Sequence, residues 1–99
     1  MMLGDKVSAV EAERIGMIYK YFPAESFADD SFKIAETLAQ MPTMAFAFTK
    51  QALNQSLQNN LTEQLALEDK LQNKAAVTKD YQEGVNAFME KRLPNFKGE

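Results

Sequence analysis

Glu68 or Glu83 with Lys50 is the acid–base set an enzyme reading of this 99-residue chain would use, a carboxylate and an amine drawn from the carboxylates, lysines and tyrosines that alone remain to do side-chain chemistry. Glu68 and its helical neighbour Gln72 fall inside a leucine-rich stripe. A carboxylate there must find a partner, shift its pKa or face solvent at a groove edge. A satisfied or edge-exposed glutamate is the commoner outcome, because structural networks perturb carboxylates as catalytic sites do. The chain holds no cysteine and no histidine. That excludes disulfides, thiol nucleophiles, Ser-His-Asp relays and zinc sites built on nitrogen or sulfur ligands. Its four glycines are never adjacent, so there is no glycine-rich loop to cradle a phosphate or form an obvious oxyanion hole. No metal site and no cofactor is expected.

The elements that would position these groups read as helices. Ser8-Ala9-Val10-Glu11 matches a capping box, with the Ser8 hydroxyl accepting from the Glu11 amide and Glu11 reaching back to the Ser8 amide. It opens a short helix to about Ile15, and Gly16 is placed to end it in the left-handed conformation. Met17 to Phe22, aromatic and β-branched and closed by Pro23, reads as a brief strand or extended segment. A second helix is predicted from about Glu25 to Gln40, with Phe27, Ile34 and Leu38 on one face and Asp29, Lys33 and Glu36 on the other, a pattern that core packing accounts for.

Pro42 suits the first turn of a third helix running to about Leu57. Met44, Phe48 and Ala52 share one of its faces while Phe46, Leu53 and Leu57 lie roughly opposite. That helix should be buried on two sides, either at the centre of the fold or against another polypeptide. Asn59-Asn60 suits a turn. The fourth helix, from about Thr62 to Ala76, carries the stripe of Leu61, Leu65, Leu67, Leu71, Ala75 and Ala76. The last begins near Thr78 or Asp80, both acceptable N-caps; Asp80 or Glu83 complements the positive end of its dipole, Lys91 and Arg92 the negative end, and Pro94 stops it. Gly84 costs about 1 kcal/mol relative to alanine in a helix interior, which predicts a second backbone approaching it closely. The sum is an all-α domain over residues 1–99, about five helices with one short extended segment.

Apolar residues make up 45% and charged residues 25%, enough apolar content to fold but, at this length, only a modest core. The net charge of −3 comes with scattered rather than clustered cations, which argues against nucleic acid and membrane surfaces. No apolar run approaches the roughly 20 residues of a membrane span, and the N-terminus lacks the pattern of a signal peptide. A cytoplasmic location is expected.

Three stretches are familiar in order: LGDKVSAVEAERIGMIYKYFP, LAQMPTMAFAFTKQALNQSL and LTEQLALEDKLQNKAAVTKDYQEGVNAFMEKRLPNFKG. With the spaced Ala9, Ala12 and Gly16, Pro42, Thr49-Lys50, Glu83-Gly84 and the tail Ala87-Phe88-x-Glu90-Lys91-Arg92-x-Pro94-x-Phe96, the chain resembles the C-terminal part of the crotonase (enoyl-CoA hydratase/isomerase) superfamily. Within the superfamily it resembles the branch that isomerises 2-(1,2-epoxy-1,2-dihydrophenyl)acetyl-CoA in phenylacetate degradation.

The resemblance implies a C-terminal helical domain. Family members bind the acyl-CoA in an N-terminal spiral of β-β-α turns, which supplies two backbone amides for the thioester oxygen and the catalytic carboxylates; that spiral is not in this sequence. The resemblance therefore implies a chain that is catalytically inert alone, drives self-association as a homo-oligomer (a trimer in the family) and partly covers the acyl-CoA pocket. By motif match, Phe88 and Lys91 approach the CoA of an adjacent subunit, the ring on adenine or pantetheine and the ammonium at a phosphate. The residues alone equally allow Phe88 as core and Lys91 as a dipole cap. Phe46 and Phe48 depart from the alanine- or leucine-like residues of the family's third helix, so pocket shape does not carry over. Two alternatives stand beside this reading: an independent helical interaction module docking through the third helix, and a complete small enzyme using Glu68 or Glu83 with Lys50.

Overall fold

A computed structural model of the chain describes residues 4–99; the start of the first resembling stretch, at Leu3, lies outside the described residues. Five helices form among them: α1 (Ala9–Arg14), α2 (Phe27–Ala39), α3 (Thr43–Ser56), α4 (Leu61–Ala76) and α5 (Lys79–Glu90). The all-α expectation holds. The chain divides into two compact units, Met1–Ile34 and Ala35–Glu99.

In the first unit, the Ser8 hydroxyl accepts from the Glu11 amide at 3.2 Å, but the return half of the expected capping box is not made. The Glu11 carboxylate is taken instead by Arg14, at 2.5 and 2.6 Å one turn on. A charged guanidinium with two parallel donors outcompetes a single neutral amide. α1 then ends as predicted at Gly16, φ 74°, with Gly16 N–H donating to the Glu13 carbonyl and Met17 N–H to that of Ala12, the Schellman pattern. Met17 to Phe22 does not pair as a strand. β-propensity needs a ladder to join, and no strand is found among the described residues. Ile18 N–H goes back to the Ala12 carbonyl and Tyr21 N–H to the Glu13 carboxylate, so the segment bends around the end of α1. The apolar stripe of α2 meets less protein than core packing would require: no α2 residue is buried, and Phe27 and Leu38 are exposed.

In the second unit, α3 packs on α4 and α4 on α5. Ala45, Phe48 and Ala52 of α3 face Leu71 and Ala75 of α4 across one shallow groove. Gln64 stitches the pair, its amide donating to the Ala52 carbonyl at 3.2 Å and accepting from Asn59 at 3.0 Å. The expected burial of α3 on two sides is not met: no α3 residue is buried, and only the face of Ala45, Phe48 and Ala52 is half-buried. Phe46 and Leu53 stay exposed, as does Leu57 just beyond the helix, and Met44 is exposed as well. Pro42 stands at the N-cap rather than inside the first turn. α4 is opened by a full capping box that the sequence suggested only as a turn: Asn60 accepts from the Glu63 amide and Glu63 from the Asn60 amide, both at 3.0 Å.

Among the described residues the buried apolar side chains are Ala12, Leu71 and Ala87, and no large side chain is fully buried. So little enclosed apolar surface leaves a wide surplus on the outside.

Candidate functional site

α5 and the segment that returns along it form the most elaborated part of the chain. Thr78 caps the helix, its hydroxyl accepting from the Tyr81 amide at 3.1 Å. Within the first turn, Asp80 is 3% exposed, and its two oxygens accept the amide hydrogens of Lys97 and Gly98 at 2.7 and 2.8 Å. Asp80 N–H in turn donates to the Glu99 carbonyl at 2.9 Å. Glu83 accepts both Nη atoms of Arg92 at 2.5 and 2.8 Å and the Asn95 amide at 2.8 Å. The Arg92 guanidinium, and then the Asn95 N–H, hold the Glu83 carboxyl down at about 2, while Glu83 and Glu90 push the Arg92 pKa up. Asp80, Glu83 and Gly84 lie at i, i+3 and i+4, one face of α5, and that face receives residues 92–98.

Gly84 does accommodate a close neighbour, but the neighbour is a ring rather than a backbone. Phe96 lies 3.6 Å from where a Cβ on Gly84 would stand, an ordinary contact distance. Gly98 is the glycine the geometry requires: at φ 76°, its missing Cβ would come within 2.6 Å of Thr43 Oγ1 at the start of α3. Helix α5 itself stops well before Pro94. Lys91 turns left-handed at φ 55°, ψ 38°; its N–H donates to the Phe88 carbonyl and that of Arg92 to the Ala87 carbonyl. This repeats the Schellman turn at Gly16, with lysine where glycine is usual. The backbone of Lys91, not its charge on the dipole, ends the helix.

Beside this face runs an apolar groove of about 380 Å³ between α3, α4 and α5, with Pro42, Ala45, Tyr81, Val85 and Phe96 in its walls. Phe88 stands on its rim, 81% exposed, so it is not core in this chain. Lys91 follows one turn later, also exposed, with no ion-pair partner among the described residues.

The three acid–base candidates are not brought together. Glu68 is exposed on the α3–α4 groove and accepts from Gln64 at 2.9 Å, the edge-exposed outcome. Glu83 lines a different, charged depression with Arg92 and Lys97, and Lys50 lines neither. Sequence reasoning assigned Asp80 and Glu83 to the helix dipole and missed their hold on the tail. The available signal was two carboxylates and a glycine on one helix face ahead of a proline-broken basic segment. No group of three Asp or Glu residues is placed to hold a metal ion among the described residues. No helix there is long and apolar enough to cross a membrane.

Comparison with known proteins gives this geometry its relatives. The 1,2-epoxyphenylacetyl-CoA isomerase of Escherichia coli K12 is 41% identical over 97 residues, spanning 98% of this chain and 37% of the relative. The 2,3-dehydroadipyl-CoA hydratase of the same organism is 34% identical over 98 residues, 99% of this chain and 38% of the relative. The crystal structure of an enoyl-CoA hydratase from Polaromonas sp. JS666 superposes with a TM-score of 0.88 at 27% identity, covering 98% of this chain and 38% of that one. The chain thus spans under two-fifths of the length of the relatives it matches. The family model for enoyl-CoA hydratase/isomerase matches residues 1–99. On that match and on these relatives, this chain belongs to the enoyl-CoA hydratase/isomerase family.

Proposed function

We propose that this chain serves as the helical C-terminal part of an enoyl-CoA hydratase/isomerase, joining subunits and partly covering an acyl-CoA site while performing no chemistry alone. In this reading Phe88 and Lys91 contact the CoA moiety held by an adjacent subunit, the ring stacking on adenine or pantetheine and the ammonium meeting a phosphate. The observation that carries it is an 81% exposed phenylalanine at the rim of an apolar groove, followed one turn later by an exposed lysine with no ion-pair partner among the described residues. A large ring costs apolar exposure where it stands, and a left-handed lysine costs steric strain. Contact with a ligand offsets both.

Catalytic inertness has its own support. Asp80 and Glu83 line a charged depression with Lys79, Lys97 and Glu99, but their oxygens are taken up by the tail amides and by Arg92, and Glu68 is exposed beside a glutamine amide in a separate groove. Acyl-CoA hydration or isomerisation needs an oxyanion site worth several kcal/mol in the transition state as well as a placed carboxylate. Assembly draws support from the exposed apolar residues of α3 and α4. The relatives' phenylacetate and enoyl-CoA chemistry, lyase activity included, belongs in this reading to the full-length context.

The test is a coenzyme A titration followed by NMR. We expect saturable binding in about the millimolar range, weakened by Phe88→Ala and by Lys91→Ala, with no turnover of an enoyl-CoA by the purified chain. Binding by both variants as tight as that of the unsubstituted chain, or measurable turnover, would overturn the reading.

A further inference from the structure

Glu83 entered as an acid–base candidate, and its contacts give it different work. Oε1 accepts Arg92 Nη1 and the Asn95 amide, and Oε2 accepts Arg92 Nη2, so both oxygens are occupied by groups just past the turn at Lys91. That turn needs outside support. A lysine at φ 55° carries a steric penalty that glycine at the same place would not, as Gly16 shows at the end of α1. A lysine standing there is best explained by use of its side chain. Arg92 is the residue through which restraint acts most directly: its N–H is tied to the Ala87 carbonyl and its guanidinium to Glu83, which fixes the chain immediately after Lys91.

Charge sorts the two adjacent cations. Arg92 is answered by Glu83 and by Glu90 at 2.6 Å, whereas Lys91 has no acidic partner among the described residues. The lysine is therefore the one of the two left to meet an anion, and the arginine serves as the strut. Phe88 sits one turn earlier on the same braced end of α5, its carbonyl receiving the Lys91 amide.

Resting on the ligand contact proposed above, we propose that Glu83 is a positioning residue for it: through Arg92 and the Asn95 amide it holds Lys91 in the left-handed turn and sets where the lysine ammonium stands, beside the Phe88 ring, toward a phosphate-bearing ligand of the coenzyme A class. Glu83 touches no ligand itself. Its effect is on the fraction of molecules whose turn is competent, and apparent affinity falls in proportion to that fraction.

The experiment uses the whole 99-residue chain and coenzyme A as the probe. In Glu83→Gln the Lys91 and Arg92 amides should exchange faster and the left-handed chemical-shift signature of Lys91 should fade, while the remaining helix resonances stay in place. Coenzyme A affinity should fall about fivefold. In a Lys91→Ala background the same substitution should change affinity by less than about twofold, because the group being positioned is gone. Arg92→Gln should reproduce the effect, and it replaces Glu83→Gln should that variant not fold. Arg92→Lys, which keeps the charge but loses the fork, should fall between. An unchanged Lys91 signature in both Glu83→Gln and Arg92→Gln overturns the proposal, as does an equal affinity loss with and without Lys91. If the unsubstituted chain binds no coenzyme A, the ligand reading fails and with it the role toward the ligand, while the Lys91 signature still decides whether Glu83 sets the turn.

Discussion

Asp80 accepts the Gly98 amide hydrogen at 2.8 Å across 18 residues of sequence, its other oxygen taking the Lys97 amide at 2.7 Å. A buried carboxylate on the first turn of α5 thus satisfies two backbone donors of a segment with no secondary structure of its own. Asp80→Asn keeps one acceptor but turns an NH₂ toward an amide, leaving a donor unsatisfied. The loss should be about 1–3 kcal/mol. Urea denaturation should show a lower midpoint at an unchanged slope; an unchanged midpoint would mean the tail is not held this way.

Gly84 offers an opposite outcome. A Cβ there would meet the Phe96 ring at 3.6 and 3.8 Å, contact without overlap. Gly84→Ala should therefore stabilise by about 0.5–1 kcal/mol, since the helix gains propensity and the unfolded chain loses freedom. A thermal midpoint raised by roughly 4 °C is expected. A fall would show that the ring needs the space glycine leaves.

Lys91→Gly separates stability from ligand contact. Removing the Cβ from the left-handed position relieves a cost of about 1 kcal/mol, so thermal stability should hold or rise. Coenzyme A binding should weaken as it does in Lys91→Ala. A variant that is both less stable and an equal binder would contradict the strain and the contact together.

Acid should loosen the tail. Glu83 has a folded pKa of about 2 against an ordinary 4.5. A depressed carboxylate contributes stability that is fully present above the unfolded value and is lost as pH falls toward the folded one, so the loss spans pH 4.5 to about 2. Glu11, Asp30 and Glu99, lowered by Arg14, Lys33 and Lys79, act in the same sense. Stability followed across this window should fall less steeply in Glu83→Gln than in the unsubstituted chain. Parallel curves would remove the Glu83–Arg92 pair from the account.

Leu57 and Leu53, 88% and 62% exposed, mark the uncovered side of α3. We expect the chain to self-associate at micromolar concentration, and Leu53→Glu with Leu57→Glu to shift it toward monomer in sedimentation without lowering the thermal midpoint, since neither side chain is buried in the chain itself. A sharp, concentration-independent monomer before substitution would count against assembly through this face.

The sequence alone determined what is local. Helix periodicity placed α2 to α5 within a few residues, Ser8 announced its cap, Thr78 was one of two caps offered for α5, and Gly16 announced a left-handed stop, because each depends on groups three to five residues apart. The absence of histidine and cysteine removes whole classes of side-chain chemistry on composition alone. Phe88 and Lys91 were named from a motif, and the fold adds that both are exposed on one turn.

Only the tertiary structure decided which of several local options each polar group took. Glu11 chose Arg14 over its own helix start, and Asn60 proved to be a cap rather than only a turn residue. Asp80 and Glu83 left the helix dipole for amides and a guanidinium 9 to 18 residues away. Lys91 took the left-handed turn that composition would give to glycine. A carboxylate gains from any nearby donor, so its sequence neighbours set the possible partners. The path of the chain in three dimensions sets the winner, by bringing the strongest charged or backbone donor within reach.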